Sequence, residues 1–262
     1  MNSPARPLFL GLTLVALGCA HVDLKQLPTP DATALLKEVD ELESHITQVK
    51  GSARVQAQSK QGNGEVGAFI AARAPAEVHL EFLNFFGAPT QVLVCDGHTF
   101  GLYQSDKATY LTGPATAAAI ARVLPVDLSA GDLVAILLGR TPRLPGPPVS
   151  IEQDPSLDAY RLTLVQGQRR QTLWVHAVSR RVLKSVLEGP GGYSLLFENP
   201  LTAGGIPFAR KVTFRDASAT VVLRWNTEDV DVDTAPDAAL FSVHAPPGVR
   251  TVEVPGAVPG AG

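Results

Sequence analysis

From Gly51 onward the chain alternates apolar and polar residues in short runs, and helical periodicity interrupts this pattern only once, between Gly113 and Gly139. Period-two alternation sends successive side chains to opposite faces of a strand, so the runs belong in a sheet with one face buried. Residues 52–59, 65–73, 77–83, 91–95, 98–103 and 107–112 read as strands before the interruption. Residues 149–152, 159–165, 171–178, 182–188, 193–198, 209–214 and 220–232 read as strands after it. About a dozen strands joined by short turns predict a mainly β (α+β) fold, an unclosed antiparallel β-barrel or strongly curved sheet.

The interruption is itself informative. Pro114 suits a first helical turn, and 115–124 is Ala-rich until Pro125 stops it. Ser129 can cap a second short helix over 131–138, ended by Gly139. Two helices placed between two runs of strands must lie on a sheet face, as a lid or a plug. Ile120, Leu124, Ile136 and Leu137 are the residues that would form the underside of such a lid. A longer helix precedes the sheet, with Thr29 or Asp31 as N-cap and Gly51 as its stop. Leu35, Leu36, Val39, Leu42, Ile46 and Val49 give it one apolar stripe, suited to covering a sheet.

The beginning of the chain points to export. Arg6 is the only charge before an apolar run, 8–17, which Gly18-Cys19 ends. That run is too short to span a bilayer, and residues 1–18 read as a signal peptide. The segment Val15-Ala16-Leu17-Gly18-Cys19 resembles a bacterial lipobox, which implies covalent lipid on Cys19 and no other cofactor. Two or three acyl chains hold a protein firmly to a membrane where one does not. The expected organisation is an acylated N-terminus and tether over 19–29, one domain over 30–254 and a disordered tail over 255–262. Loss of Arg6 takes the formal net charge from −3 to −4, and nothing in that balance suggests a nucleic-acid partner.

One turn stands out. Asn84, Gly87 and Pro89 lie between two apolar strand runs and supply turn chemistry. Its tip, however, carries Phe85 and Phe86, and turn tips face water. Either one ring folds back as a local plug, or the pair makes contact with lipid or an acyl chain.

Catalytic signatures do not emerge. There is no Gly-x-Ser-x-Gly elbow, His-Glu-x-x-His helix or phosphate-cradling Gly loop. The six His are scattered, with none at metal-ligand spacing from a Cys or another His, so no metal site is expected. Asp229, Asp231 and Asp233 alternate as the wet face of a strand would, and Glu77, His79 and Glu81 do the same. Cys95 sits in an apolar strand as a small buried residue, and apart from Cys19 it is the only cysteine. The chain is not expected to be an enzyme.

With this order of elements in hand, the sequence resembles the LolA/LolB lipoprotein-localisation family. Ala72-Arg73-Ala74-Pro75 is similar to that family's Arg-Pro stretch, and 92–100, Val-Leu-Val-Cys-Asp-Gly-His-Thr-Phe, to its strand, Asp-Gly turn and next strand. Asn84-Phe85-Phe86-Gly87 resembles the protruding loop of the family's outer-membrane receptor branch. Leu124-Pro125-Val126-Asp127-Leu128 and 133–139 resemble its lid region. The resemblance implies an apolar cavity for lipoprotein acyl chains, with Arg73 among the lid and cavity residues. It implies acylated lipoproteins as cargo, a periplasmic carrier protein as partner and attachment to the outer membrane, facing the periplasm, through the N-terminal lipid. A lipid-anchored binding or scaffold protein for another amphiphile or envelope complex is the alternative on the same fold.

Overall fold

The computed structural model describes Leu24 and residues 28–60, 62–203 and 206–256. The expected signal peptide, Cys19, most of the tether and residues 257–262 of the expected tail lie outside the described residues.

Helix α1 (Ala32–Ser44) comes first. It is followed by β1 (Gln48–Ser59), β2 (Gly62–Arg73), β3 (Glu77–Leu83), β4 (Pro89–Asp96), β5 (Thr99–Gln104) and β6 (Thr109–Pro114). The helices α2 (Ala117–Ile120) and α3 (Ala130–Leu137) interrupt the strands where the pattern predicted. Then come β7 (Ser150–Asp154), β8 (Ala159–Gln166), β9 (Arg169–His176), β10 (Val182–Glu188), β11 (Tyr193–Ala203), β12 (Ile206–Arg215) and β13 (Ala219–Trp225). A short 3-10 helix, Ala238–Phe241, and β14 (Arg250–Glu253) complete the order.

The fourteen strands of the described residues form one sheet, in the order β14-β6-β5-β4-β3-β2-β1-β13-β12-β11-β10-β9-β8-β7. Two antiparallel meanders are thus joined where β1 pairs with β13, in the register Ala53↔Trp225 to Ser59↔Ala219. The outermost strands, β14 and β7, do not pair with each other, so the sheet is curved and unclosed. Among the described strands only β14 runs parallel to its neighbour, β6.

The alternation decides what each face does. Ile70 and Leu80 pack on one face of the sheet with Val134, Leu137 and Leu138 of the α3 region. On the same side of the second meander, Leu162, Leu173 and Leu195 pack with Leu35 and Val39 of α1. Helix α1 and the α3 region therefore cover the inner face of the sheet.

Four expectations need correction. First, α1 ends at Ser44 and not at Gly51, because Gln48 to Ser59 pair continuously with β2. Ile46 and Val49 leave the helical stripe, and Gly51 lies inside a strand. Second, β13 stops at Trp225, so Asp229, Asp231 and Asp233 do not form the wet face of a strand. They organise a loop instead: Asp229 Oδ2 accepts from Ser52 Oγ at 2.5 Å, and Asp231 Oδ1 accepts from the backbones of Asp233 and Thr234. The Thr234 N–H above all holds the Asp231 carboxyl well down, to about 2. Third, His79 is buried, because the 3-10 helix lies over it. Its Nδ1 donates to the Leu240 carbonyl at 2.8 Å, and Nε2 lies 2.8 Å from Glu81 Oε1. Fourth, the first lid helix is a single turn, capped by Thr116 and ended at Ile120, so Leu124 stands in the irregular link before α3.

Candidate functional site

The inner face holds an apolar cavity of about 310 Å³ between the sheet and the α2–α3 segment. Its floor comes from the strands that meet where the two meanders join: Val55 of β1, Val66 and Ile70 of β2, Leu80 and Phe82 of β3, Phe214 of β12, and Leu223 of β13. Each is on the inward parity of its strand; Val55 faces Val66 across one pair and Leu223 across the other. The roof is Leu124, Val126, Leu128, Leu133, Ile136 and Leu137. Glu65 is the one charged residue on the border, and its carboxylate pairs with Arg54 at 3.0 Å. A space so lined can shield hydrocarbon.

The roof is fastened at its C-terminal side. Arg143, just after α3, pairs with Glu43 and Asp40 of α1, and Arg140 donates to the Ile46 carbonyl. Burial pushes the Glu43 carboxyl up, toward about 8, against the pull of the Arg140 charge. Buried Gln171 straps the Pro-rich link to the sheet. Its Oε1 accepts from the Leu144 N–H at 2.8 Å, and its Nε2 donates to the Pro142 carbonyl at 2.7 Å and to Ser185 Oγ at 3.0 Å. Ser129 caps α3 by accepting from the Asp132 N–H.

The β3–β4 turn projects beside this cavity, because Phe82, on the cavity floor, lies three residues before Phe85. The Asn84 N–H donates to the Ala88 carbonyl at 2.9 Å and closes the turn, and Gly87 takes φ +78°. Phe85 is 97% exposed and Phe86 89%. Their rings meet edge to face, 5.6 Å apart, and touch no core. The folded-back plug is thereby excluded.

The structure brings Leu124, Ile136 and Leu137 to the cavity wall. Ile120 is elsewhere, buried in the adjoining core with Val134 and Leu138. Arg73 lies on the opposite face. Its Nη2 donates to Glu77 Oε1 at 2.8 Å, and its guanidinium stands 4.9 Å over the Phe241 ring. The alternation of β2 explains this, because Ala72 points inward and its neighbour Arg73 must point out. The sequence marks the floor residues as strand positions and not as a site. Their inward parity was the available signal, but the partner strands that complete the floor come from both ends of the sequence.

Among the described residues no group of three His, Cys, Asp or Glu could hold a metal ion, and no helix is long and apolar enough to cross a membrane. Cys95 is buried, and that burial pushes its thiol up.

No family model and no curated protein sequence matches the chain. Solved structures do. A LolA superfamily protein from Nitrosomonas europaea superposes with a TM-score of 0.54 at 14% identity, over 82% of this chain and 99% of the other. A DUF1329 family protein from Desulfovibrio piger gives 0.58 at 13% identity, over 80% and 95%. A Vibrio parahaemolyticus domain assigned to outer membrane lipoprotein sorting gives 0.57 at 11% identity, over 80% and 95%. Likeness at such low identity is a likeness of fold: the chain has a LolA/LolB-type fold.

Proposed function

We propose that this protein is a lipid-anchored component of the bacterial cell envelope, held to the outer membrane through Cys19 and facing the periplasm. It would bind acyl chains in the apolar cavity, receive acylated lipoproteins from a periplasmic carrier protein and insert them in the outer membrane. One observation carries the reading: a cavity lined almost wholly by hydrocarbon side chains reaches Phe82, three residues before Phe85, which stands exposed with Phe86 on the turn. The neighbour assigned to lipoprotein sorting supports it by fold.

The energetics suit transfer. Burying a methylene is worth about 0.8 kcal/mol in a cavity or in a bilayer alike. Cargo therefore moves on only if the cavity can be opened, and a short roof of one helical turn, an irregular link and one two-turn helix is a small unit to displace. Mass spectrometry of the full chain purified from envelope membranes tests the whole reading. The expected result is an acyl modification on Cys19 together with co-purified acylated proteins. An unmodified Cys19 with no acylated ligand would overturn it.

A further inference from the structure

Beyond Leu128, at the same end of the sheet, lies a second space of about 340 Å³. Leu128 lines both it and the apolar cavity. Across the same wall the ring of Tyr193, on the second space, sits 5.6 Å from that of Phe214, on the cavity. The two spaces are thus neighbours through one leucine and one pair of rings, but their chemistry differs. Arg169 at the start of β9 and Tyr193 at the start of β11 border the second space, with Ser129 and Asp132 at the start of α3 and Asp127 just before it. Arg143 borders it too, but its guanidinium is already engaged by Glu43 and Asp40.

Arg169 forms no ion pair with a described residue, and its Nε is buried without a hydrogen-bond partner. An unsatisfied buried donor is costly to keep, and a guanidinium is shaped to receive a phosphate or carboxylate. Burial first, then the charge of Asp132, push the Tyr193 phenol up, so it stays protonated and able to donate. A purely anionic group entering here would also meet Asp132 and Asp127. A purely cationic one would meet Arg169 and the charge of Arg143. Only a group carrying both charges finds a partner for each.

We propose that this cleft is the headgroup site for an amphiphile whose chain occupies the apolar cavity, and that the headgroup is a zwitterion of the phosphoethanolamine type. Its phosphate lies against Arg169 and the Tyr193 hydroxyl and its ammonium against Asp132, with Leu128 between headgroup and chain. This rests on the acyl-binding reading above and adds to it the class of molecule bound.

Native mass spectrometry of the full chain in detergent, titrated with three probes sharing one acyl chain, tests it. The probes are a monoacylglycerol, a lysophosphatidylglycerol and a lysophosphatidylethanolamine. The zwitterionic probe should bind about tenfold more tightly than the uncharged one, the gain that one charge-assisted hydrogen bond confers. Arg169→Gln should abolish that gain and leave monoacylglycerol binding as it was. Equal affinity for all three probes, or tightest binding of the purely anionic one, would overturn the headgroup site while leaving the acyl cavity standing. An Arg169→Gln protein that loses affinity for every probe alike would do the same. Failure of all three to bind would overturn the acyl-chain reading and this inference with it.

Discussion

The backbone of Val230 crosses Gly51 so closely that a Cβ on Gly51 would stand 2.9 Å from the Val230 Cα. Contact at that distance is with main chain, which cannot swing aside as the end of a side chain can. The crossing also fastens the loop after β13 to the sheet, because Lys50 and Asp231 exchange backbone hydrogen bonds next to it at 2.9 and 2.8 Å. Gly51→Ala should therefore lower stability by about 1–3 kcal/mol, as overpacking does. Urea denaturation measures this, and a variant as stable as the parent would show that the crossing relaxes freely.

Glu43 gives the protein a pH dependence. Its carboxyl is raised in the fold from 4.5 to about 8, so between those values the folded state holds a proton that the unfolded chain releases. The contribution is fully present below pH 4.5 and is lost as pH rises through about 8. Unfolding free energy measured across that window should fall with rising pH in the parent protein. Glu43→Gln should flatten the slope, and an identical slope in both would remove Glu43 as its source.

The roof and the core beside it should separate by mutation. Leu124 and Leu137 line the cavity, so replacing both by Asn should weaken binding of a fluorescent acyl probe, each buried aliphatic side chain being worth roughly 1.5–3 kcal/mol. Ile120 packs in the core and does not line the cavity. Ile120→Ala should cost about 2–5 kcal/mol of stability while probe affinity per folded molecule stays unchanged. The reverse pattern, with affinity lost on the Ile120 change and kept on the leucine changes, would place the acyl chain elsewhere.

The strands were legible because alternation is a local signal, and so was the position of the helical insertion. The differences between sequence and structure are tertiary in origin. Ile46 and Val49 continue the helical spacing of Leu35 and Val39, yet pairing with β2 draws residues 48–59 into a strand. Gly51 resembles a helix stop, but it is needed for the crossing of Val230, a contact nearly 180 residues distant in sequence. His79 looked wet on its own strand because the helix that buries it comes from the other end of the chain. The roof leucines could be named from their periodicity. The floor of the cavity could not, since it needs β1 beside β13, a pairing between strands that nothing local specifies. Arg169 carried no signal at all, because an unpaired cation is visible only once its neighbours are in place.

The Phe85-Phe86 tip separates delivery from mere binding. Both rings are in water, so charging them removes no core contact, and a double replacement by Glu should leave stability within about 0.5 kcal/mol of the parent. In a bilayer the same rings would gain on the order of 1.5–3 kcal/mol each, and two carboxylates would forfeit that gain and add a desolvation penalty. The cavity floor ends at Phe82, outside the tip, so acyl-probe affinity should be retained. The quantity that should fall is transfer of bound lipoprotein to liposomes. Performing the comparison on protein with Cys19→Ala keeps the expected anchor from delivering the tip to the membrane by itself. Transfer undiminished in a stable, probe-binding double variant would show that the tip is not the delivery element, and the outer-membrane receptor role would then have to be given up in favour of a carrier or binding protein on the same fold.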